Sequence, residues 1–192
     1  MSNAIRLPVP YLSQRDNQIM PSSTCNMTSL AMCLKFYDIP QKTNTEQFED
    51  ELTDYALNNG IQITSVYGIA QVCEDYGCID LVNTEASLDD IDLALSLNHP
   101  VIIHGYYTQS GHINVIRGQE DKYYYVNDPW GNLELQTWRY FSTEGENVVF
   151  QRRTLAAICS AYSFSEAQQL YQSNNFNEEN VSNLWIHEII KK

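Results

Sequence analysis

Residues 24–37 run Thr24-Cys25-Asn26-Met27-Thr28-Ser29-Leu30-Ala31-Met32-Cys33-Leu34-Lys35-Phe36-Tyr37. Met27, Leu30, Ala31, Leu34 and Phe36 or Tyr37 recur at helical spacing, and Asp38 and Pro40 end the run, so the segment reads as a buried helix. Ser22, Ser23 and Thr24 are N-cap candidates, which places Cys25 at the start of that helix. A thiol there meets unpaired backbone N–H groups and the positive end of the helix dipole, and both favour thiolate over thiol. The competing reading is a small buried core cysteine.

Working outward, Leu7-Pro8-Val9-Pro10-Tyr11-Leu12-Ser13 carries prolines two apart and reads as extended. Thr45 to Asn59 reads as a second helix on Phe48, Leu52, Tyr55 and Ala56, stopped by Gly60. A third runs from Thr64 through Ile69, Val72 and Tyr76 to Gly77. A fourth opens at Ser87, whose Asp90 three residues on suggests a capping box, and reaches Asn98. Beyond Pro100 the period changes: Val101 to Tyr107, His112 to Ile116 and Tyr123 to Val126 read as antiparallel strands, the last closing on the turn Asn127-Asp128-Pro129-Trp130-Gly131. Tyr123-Tyr124-Tyr125 reads as an alternating strand before it reads as a ligand surface. Helices followed by strands predict an α+β fold. Residues 163–192 read as a C-terminal helical extension, with Val181, Leu184, Trp185 and Ile189 as its apolar stripe, packed on the domain of residues 1–162 or on a partner.

The chain has 192 residues, 43% of them apolar and 11% aromatic, which suits one globular domain with a sizeable core. A net charge of −13 repels phosphates, so no nucleic-acid partner is expected and a cationic substrate is favoured. No apolar run approaches the roughly 18 to 20 residues of a membrane span, so a soluble chain without membrane insertion is expected. Ser2-Asn3-Ala4 looks like an expression-tag scar, which leaves compartment open, and the sequence leaves oligomeric state open too. The cysteines are Cys25, Cys33, Cys73, Cys78 and Cys159, an odd number that suits a reducing compartment or one reserved thiol. Cys73 and Cys78 are read as core or disulfide residues, because one Cys-x4-Cys pair without a second is a weak zinc signal; no metal or other cofactor is expected.

A cysteine nucleophile needs a general base, and His112 suits best because Gly111-His112 opens a strand. His104 lies inside an apolar strand and reads as an interior or sheet-face residue. His99 and His187 have no evident companion carboxylate. Asp128 or Asn127 would orient the imidazole, since their turn follows the neighbouring strand. Gln14, before the cysteine helix, would place an amide beside Cys25 and its backbone N–H for an oxyanion; Gln18 is nearer in sequence and stays open as the alternative.

The ordered strings Val9-Pro10-Tyr11-Leu12-Ser13-Gln14, Thr24 to Met32, Gly111-His112-Ile113-Asn114-Val115-Ile116 and Tyr125-Val126-Asn127-Asp128-Pro129-Trp130-Gly131 together resemble papain-like cysteine peptidases, specifically the double-glycine leader peptidases that process bacteriocins. The resemblance spans about 7–131. It implies a papain-like α+β fold, Cys25 as nucleophile, His112 as base and later acid, Asp128 as orienter, Gln14 as oxyanion donor, and a peptide or protein as substrate. Two features depart from the family: Asn26 stands where relatives commonly have glycine, and no transporter domain accompanies the chain, so cleavage at a double glycine is not part of the expectation. A non-catalytic peptide-binding module and an acyl transferase on the same fold remain as alternatives.

Overall fold

A nine-residue run from Asn26 to Leu34 is buried without interruption, which makes the cysteine helix the spine of the molecule. The structure is a computed structural model that describes residues 4–192, so Ser2 and Asn3 of the tag-like start lie outside the described residues. In chain order the elements are β1 (Ile5–Arg6), α1 (Cys25–Phe36), α2 (Phe48–Asn58), α3 (Val66–Asp75), β2 (Cys78–Ala86), α4 (Leu88–Ser96), β3 (Val101–Gly105), β4 (His112–Glu120), β5 (Tyr123–Asn127), β6 (Asn132–Glu134), β7 (Arg139–Ser142), β8 (Val148–Gln151), α5 (Arg152–Cys159), α6 (Phe164–Gln172) and β9 (Leu184–Lys191). The seven-stranded antiparallel sheet runs β2-β9-β3-β4-β5-β8, with β1 paired to β4, and β6-β7 form a separate ribbon.

Helix α1 packs on α2, α3 and β4. Its Leu30, Met32 and Leu34 are wholly buried, and side chains of that size contribute about 1.5–3 kcal/mol each on burial. The anticipated capping box of α4 is present, with Ser87 N and Oγ both 2.7 Å from Asp90 Oδ2. In β5, Tyr124 is buried while Tyr123 is exposed, as strand alternation requires.

Three stretches differ from the sequence-based reading. Residues 132–159, given no element there, form β6, β7, β8 and α5. Residues 78–86, left between two predicted helices, form edge strand β2. Residues 184–191, expected to be helical, form β9, which lies between β2 and β3 inside the sheet. Strand partners explain the last of these differences. β9 pairs Ile186 with Ile103 and Asn83, and is buried on both faces, so its apolar pattern lacks the simple alternation of a half-exposed strand. Helix in the tail is confined to α6 and a single 3-10 turn at Glu178–Asn180.

Candidate functional site

Gly111 adopts φ +79°, a left-handed conformation open to glycine at little cost, and turns the chain into β4 so that its first residue is His112. Opposite His112 in register stands Gly105, where a Cβ would sit 2.7 Å from the Tyr107 ring and 2.9 Å from Cys159 Sγ. Only glycine fits there without displacing a neighbour.

His112 Nε2 lies 2.7 Å from Asp128 Oδ1, and both residues are buried. The β4–β5 pairing, Val115 opposite Asn127, carries the Asp128 turn alongside the start of the histidine strand. Asp128 Oδ1 also accepts the Trp130 N–H at 2.8 Å, and Oδ2 accepts the Tyr140 hydroxyl at 3.0 Å. Asn114, with its carboxamide nitrogen turned toward the acid, reaches Oδ2 at 3.2 Å. The rings of Tyr107 and Tyr140 stand edge-on to the imidazole, each 6.0 Å away between centroids. Burial by itself would depress His112, but the charge and hydrogen bond of Asp128, followed by the Cys25 thiol, push it up to about 10. Burial and Asp128 raise the Tyr140 phenol, which keeps it a hydrogen-bond donor.

Cys25 opens α1, and Thr24 supplies its N-cap position with no side-chain cap bond, so the first-turn N–H groups are not claimed from that side. Asn17 fastens this end of the helix, its amide donating to Thr24 Oγ1 at 2.9 Å and Thr28 Oγ1 at 3.0 Å. The thiol lies close enough to the His112 ring to help raise it. Since Nε2 is engaged by Asp128, Nδ1 is the nitrogen left to meet it. Cys25 and His112 line one cleft of about 460 Å³, and Cys25 is half-buried while the other four cysteines are buried.

Gln14 is buried, and its Nε2 donates to the Pro21 carbonyl at 2.8 Å while Oε1 has no partner. Its backbone N–H donates to Pro129 at 2.9 Å, so it bridges the loop before Cys25 and the turn that carries Asp128. It is not among the residues that line the cleft. Gln18 is exposed and bonds the Asp16 carbonyl at 3.2 Å. Asn127 faces away from the imidazole, donating to Val9 and accepting from Asn147. Asn26 donates to the Ile63 carbonyl and accepts the Met27 N–H at 2.8 Å, which fastens the helix start to the loop before α3.

Both histidines read as lacking a carboxylate have one: His99 Nδ1 lies 2.6 Å from Glu188 Oε1, and His187 Nδ1 lies 2.7 Å from Asp80 Oδ2. The partners come from β9 and β2, the strands that sequence pattern did not show. Asn114 and Tyr140 were also missed as neighbours of Asp128; Asn114, two residues beyond His112 and so on its face of β4, was inferable, whereas nothing in the sequence singles out Tyr140. Cys73 and Cys78 are free buried thiols, not joined as a disulfide. Among the described residues no three His, Cys, Asp or Glu side chains gather as a metal-binding group, and no helix is long and apolar enough to cross a membrane.

A helix with a cysteine at its start, laid on an antiparallel sheet that carries a histidine, is the papain-like peptidase architecture. Residues 6–158 match the family model of the peptidase C39-like family, and the chain belongs to that family. No curated protein matches the sequence significantly. Among solved structures, a double glycine motif protease from an AMS/PCAT transporter, in complex with a leader peptide, is similar over 98% of each chain with a TM-score of 0.52 and 15% identity. A protein described as a C39-like peptidase from Bacillus anthracis covers 99% of this chain and 98% of its own, with a TM-score of 0.55 and 15% identity. The peptidase domain of Streptococcus ComA covers 92% of this chain and 96% of its own, with a TM-score of 0.53 and 15% identity. At that identity the shared property is the fold.

Proposed function

We propose that the protein is a cysteine peptidase in which Cys25 is the nucleophile, His112 the general base and acid, and Asp128 the residue that orients His112. The observation that carries this reading is the buried His112–Asp128 contact of 2.7 Å, in a cleft that His112 shares with the thiol at the start of α1. An imidazole that keeps its proton up to about 10 beside Cys25 can hold a thiolate as its ion-pair partner and then deliver that proton.

The sulfur attacks the scissile carbonyl carbon, forming the S–C bond and a tetrahedral oxyanion. The Cys25 N–H is the donor assigned to that oxygen; Gln14 is assigned as a second donor on condition that its amide turns from the Pro21 carbonyl toward the cleft. Collapse breaks the C–N bond as His112 gives its proton to the leaving amine. His112 then takes a proton from water, whose oxygen attacks the thioester carbonyl; the S–C bond breaks and the carboxylic acid leaves. Asp128 keeps Nε2–H pointed at itself throughout, so that Nδ1 does the proton transfer.

The substrate assigned is a peptide, in line with the leader peptide held by one structural neighbour. Incubating the protein with a mixture-based peptide library and sequencing the products tests this. Cleavage that disappears in Cys25→Ala is the expected result; cleavage that survives in that variant refutes the assignment.

A further inference from the structure

A second carboxylate–histidine row reaches the same cleft from the opposite side of the sheet order. Asp80 is in β2, His187 in β9 and His104 in β3. Register places Val82 and Ile102 on either side of His187; Asp80 lies two residues before Val82 and His104 two residues after Ile102, so all three side chains share one face. His187 Nδ1 is 2.7 Å from Asp80 Oδ2, and His187 Nε2 is 2.9 Å from His104 Nε2. His187 is wholly buried, Asp80 is buried, and His104 lines the cleft together with Trp185, whose ring stands edge-on to it at 6.2 Å. His104 Nδ1 has no protein partner and is not enclosed, so it is the nitrogen open to the cleft.

The proton count along the row fixes what that nitrogen offers. His187 Nδ1 faces a carboxylate and carries a hydrogen. With one proton on each ring, His187 Nε2 is bare and the proton between the two rings belongs to His104 Nε2. His104 Nδ1 is then bare as well. Burial, and then His187, depress His104 to about 3, so the ring stays neutral. Among the described residues no Asp, Glu, Lys or Arg lines the cleft, so the negative field of the whole chain has no counterpart there, and a cationic side chain would be desolvated without a counter-charge. An uncharged donor beside Trp185 fits instead.

We propose that the Asp80–His187 pair locks His104 as a hydrogen-bond acceptor in the cleft, and that His104 thereby selects peptides bearing an uncharged donor side chain, a hydroxyl or carboxamide, at one position. His104 is the residue that contacts the peptide; Asp80 and His187 are positioning residues. The selection rests on the peptidase reading for its consequence in catalysis, but the recognition itself does not need turnover.

The test therefore uses binding. Octapeptides taken from a randomised pool carry Thr or Val, isosteres differing by one hydroxyl, at each position in turn, and are titrated against the full chain as Cys25→Ala at pH 8. The expected result is a preference for Thr of about tenfold at one position, which falls to none when His104→Phe is added. Nitrogen NMR of the wild-type imidazoles at pH 8, which needs no variant to fold, should show His104 Nδ1 unprotonated. No Thr preference at any position, a preference that survives His104→Phe, absence of binding by every peptide, or a protonated Nδ1 each overturns the proposal. A Thr preference in a protein that cleaves none of these peptides upholds it and removes the peptidase reading instead.

Discussion

Two carboxylate–histidine rows converge on one cleft, and their histidines at the cleft are driven in opposite directions. In the row of Asp128, His112 and Cys25 the imidazole touches the carboxylate directly and is pushed up to about 10. In the row of Asp80, His187 and His104 a second imidazole stands between acid and cleft, and the ring that reaches the cleft is depressed to about 3. Both rings are largely removed from water, so burial acts on both to disfavour the cation. What differs is whether a carboxylate is in contact to overcome it. The same residue types, arranged as acid–histidine–thiol or as acid–histidine–histidine, yield a proton carrier on one side of the cleft and a fixed neutral acceptor on the other.

The largest expected effect that separates the two rows is on turnover. Cys25→Ala and His112→Ala should each lower kcat/KM by about 10⁴-fold or more, as removal of a nucleophile or its base does in a cooperating set, and peptide hydrolysis assays with purified variants measure it. Asp128→Asn should cost less, between about 10²- and 10⁴-fold, because it disturbs orientation and charge and leaves the bond-making atoms in place. Equal losses for Asp128→Asn and Cys25→Ala would mean that the acid's charge, and the tautomer it imposes on His112, are as necessary to the reaction as the nucleophile.

A smaller and opposite pair of effects lies in stability against pH. His112 has a raised folded value, so its contribution is complete below about 6.5 and is lost as pH rises toward about 10. His104 has a depressed folded value, so its contribution is present above about 6.5 and is lost as pH falls toward about 3. Urea unfolding across this range should show the alkaline decline flattened in His112→Ala and the acid decline flattened in His104→Phe. Parallel curves for both variants and wild type would erase the contrast. The smallest effect is spectroscopic: Asp80→Asn removes the charge that selects the His187 tautomer, and nitrogen NMR should show His104 pass from one tautomer to a mixture.

How far the sequence foretold these rows follows from where their partners lie. Helix α1 was readable from Met27, Leu30, Ala31 and Leu34, and strands β3 to β5 from their apolar runs and the turn at Asn127-Asp128-Pro129, all local signals. The cysteine, histidine and acid of the first row sit at the ends of those elements, so the residues to examine were visible before any coordinates. The second row was not. Asp80 lies in an edge strand broken by Asn83 and Glu85, and His187 in a central strand whose spacing of Leu184, Trp185 and Ile189 imitates a helix. Their pairing joins residues 107 positions apart, and no local periodicity reports such a contact. Gln14 is intermediate: its motif drew attention to it, but its amide contact with Pro21 and its place outside the cleft lining are tertiary facts.

Whether His112 activates Cys25 is read from the rate of iodoacetamide alkylation at each of the five cysteines, followed by peptide mapping in wild type and in His112→Ala. Cys25 should react fastest, and its rate should fall about tenfold or more in His112→Ala while the buried Cys33, Cys73, Cys78 and Cys159 stay slow in both. A Cys25 rate unchanged by His112→Ala would show that exposure alone sets its reactivity, and would contradict the account.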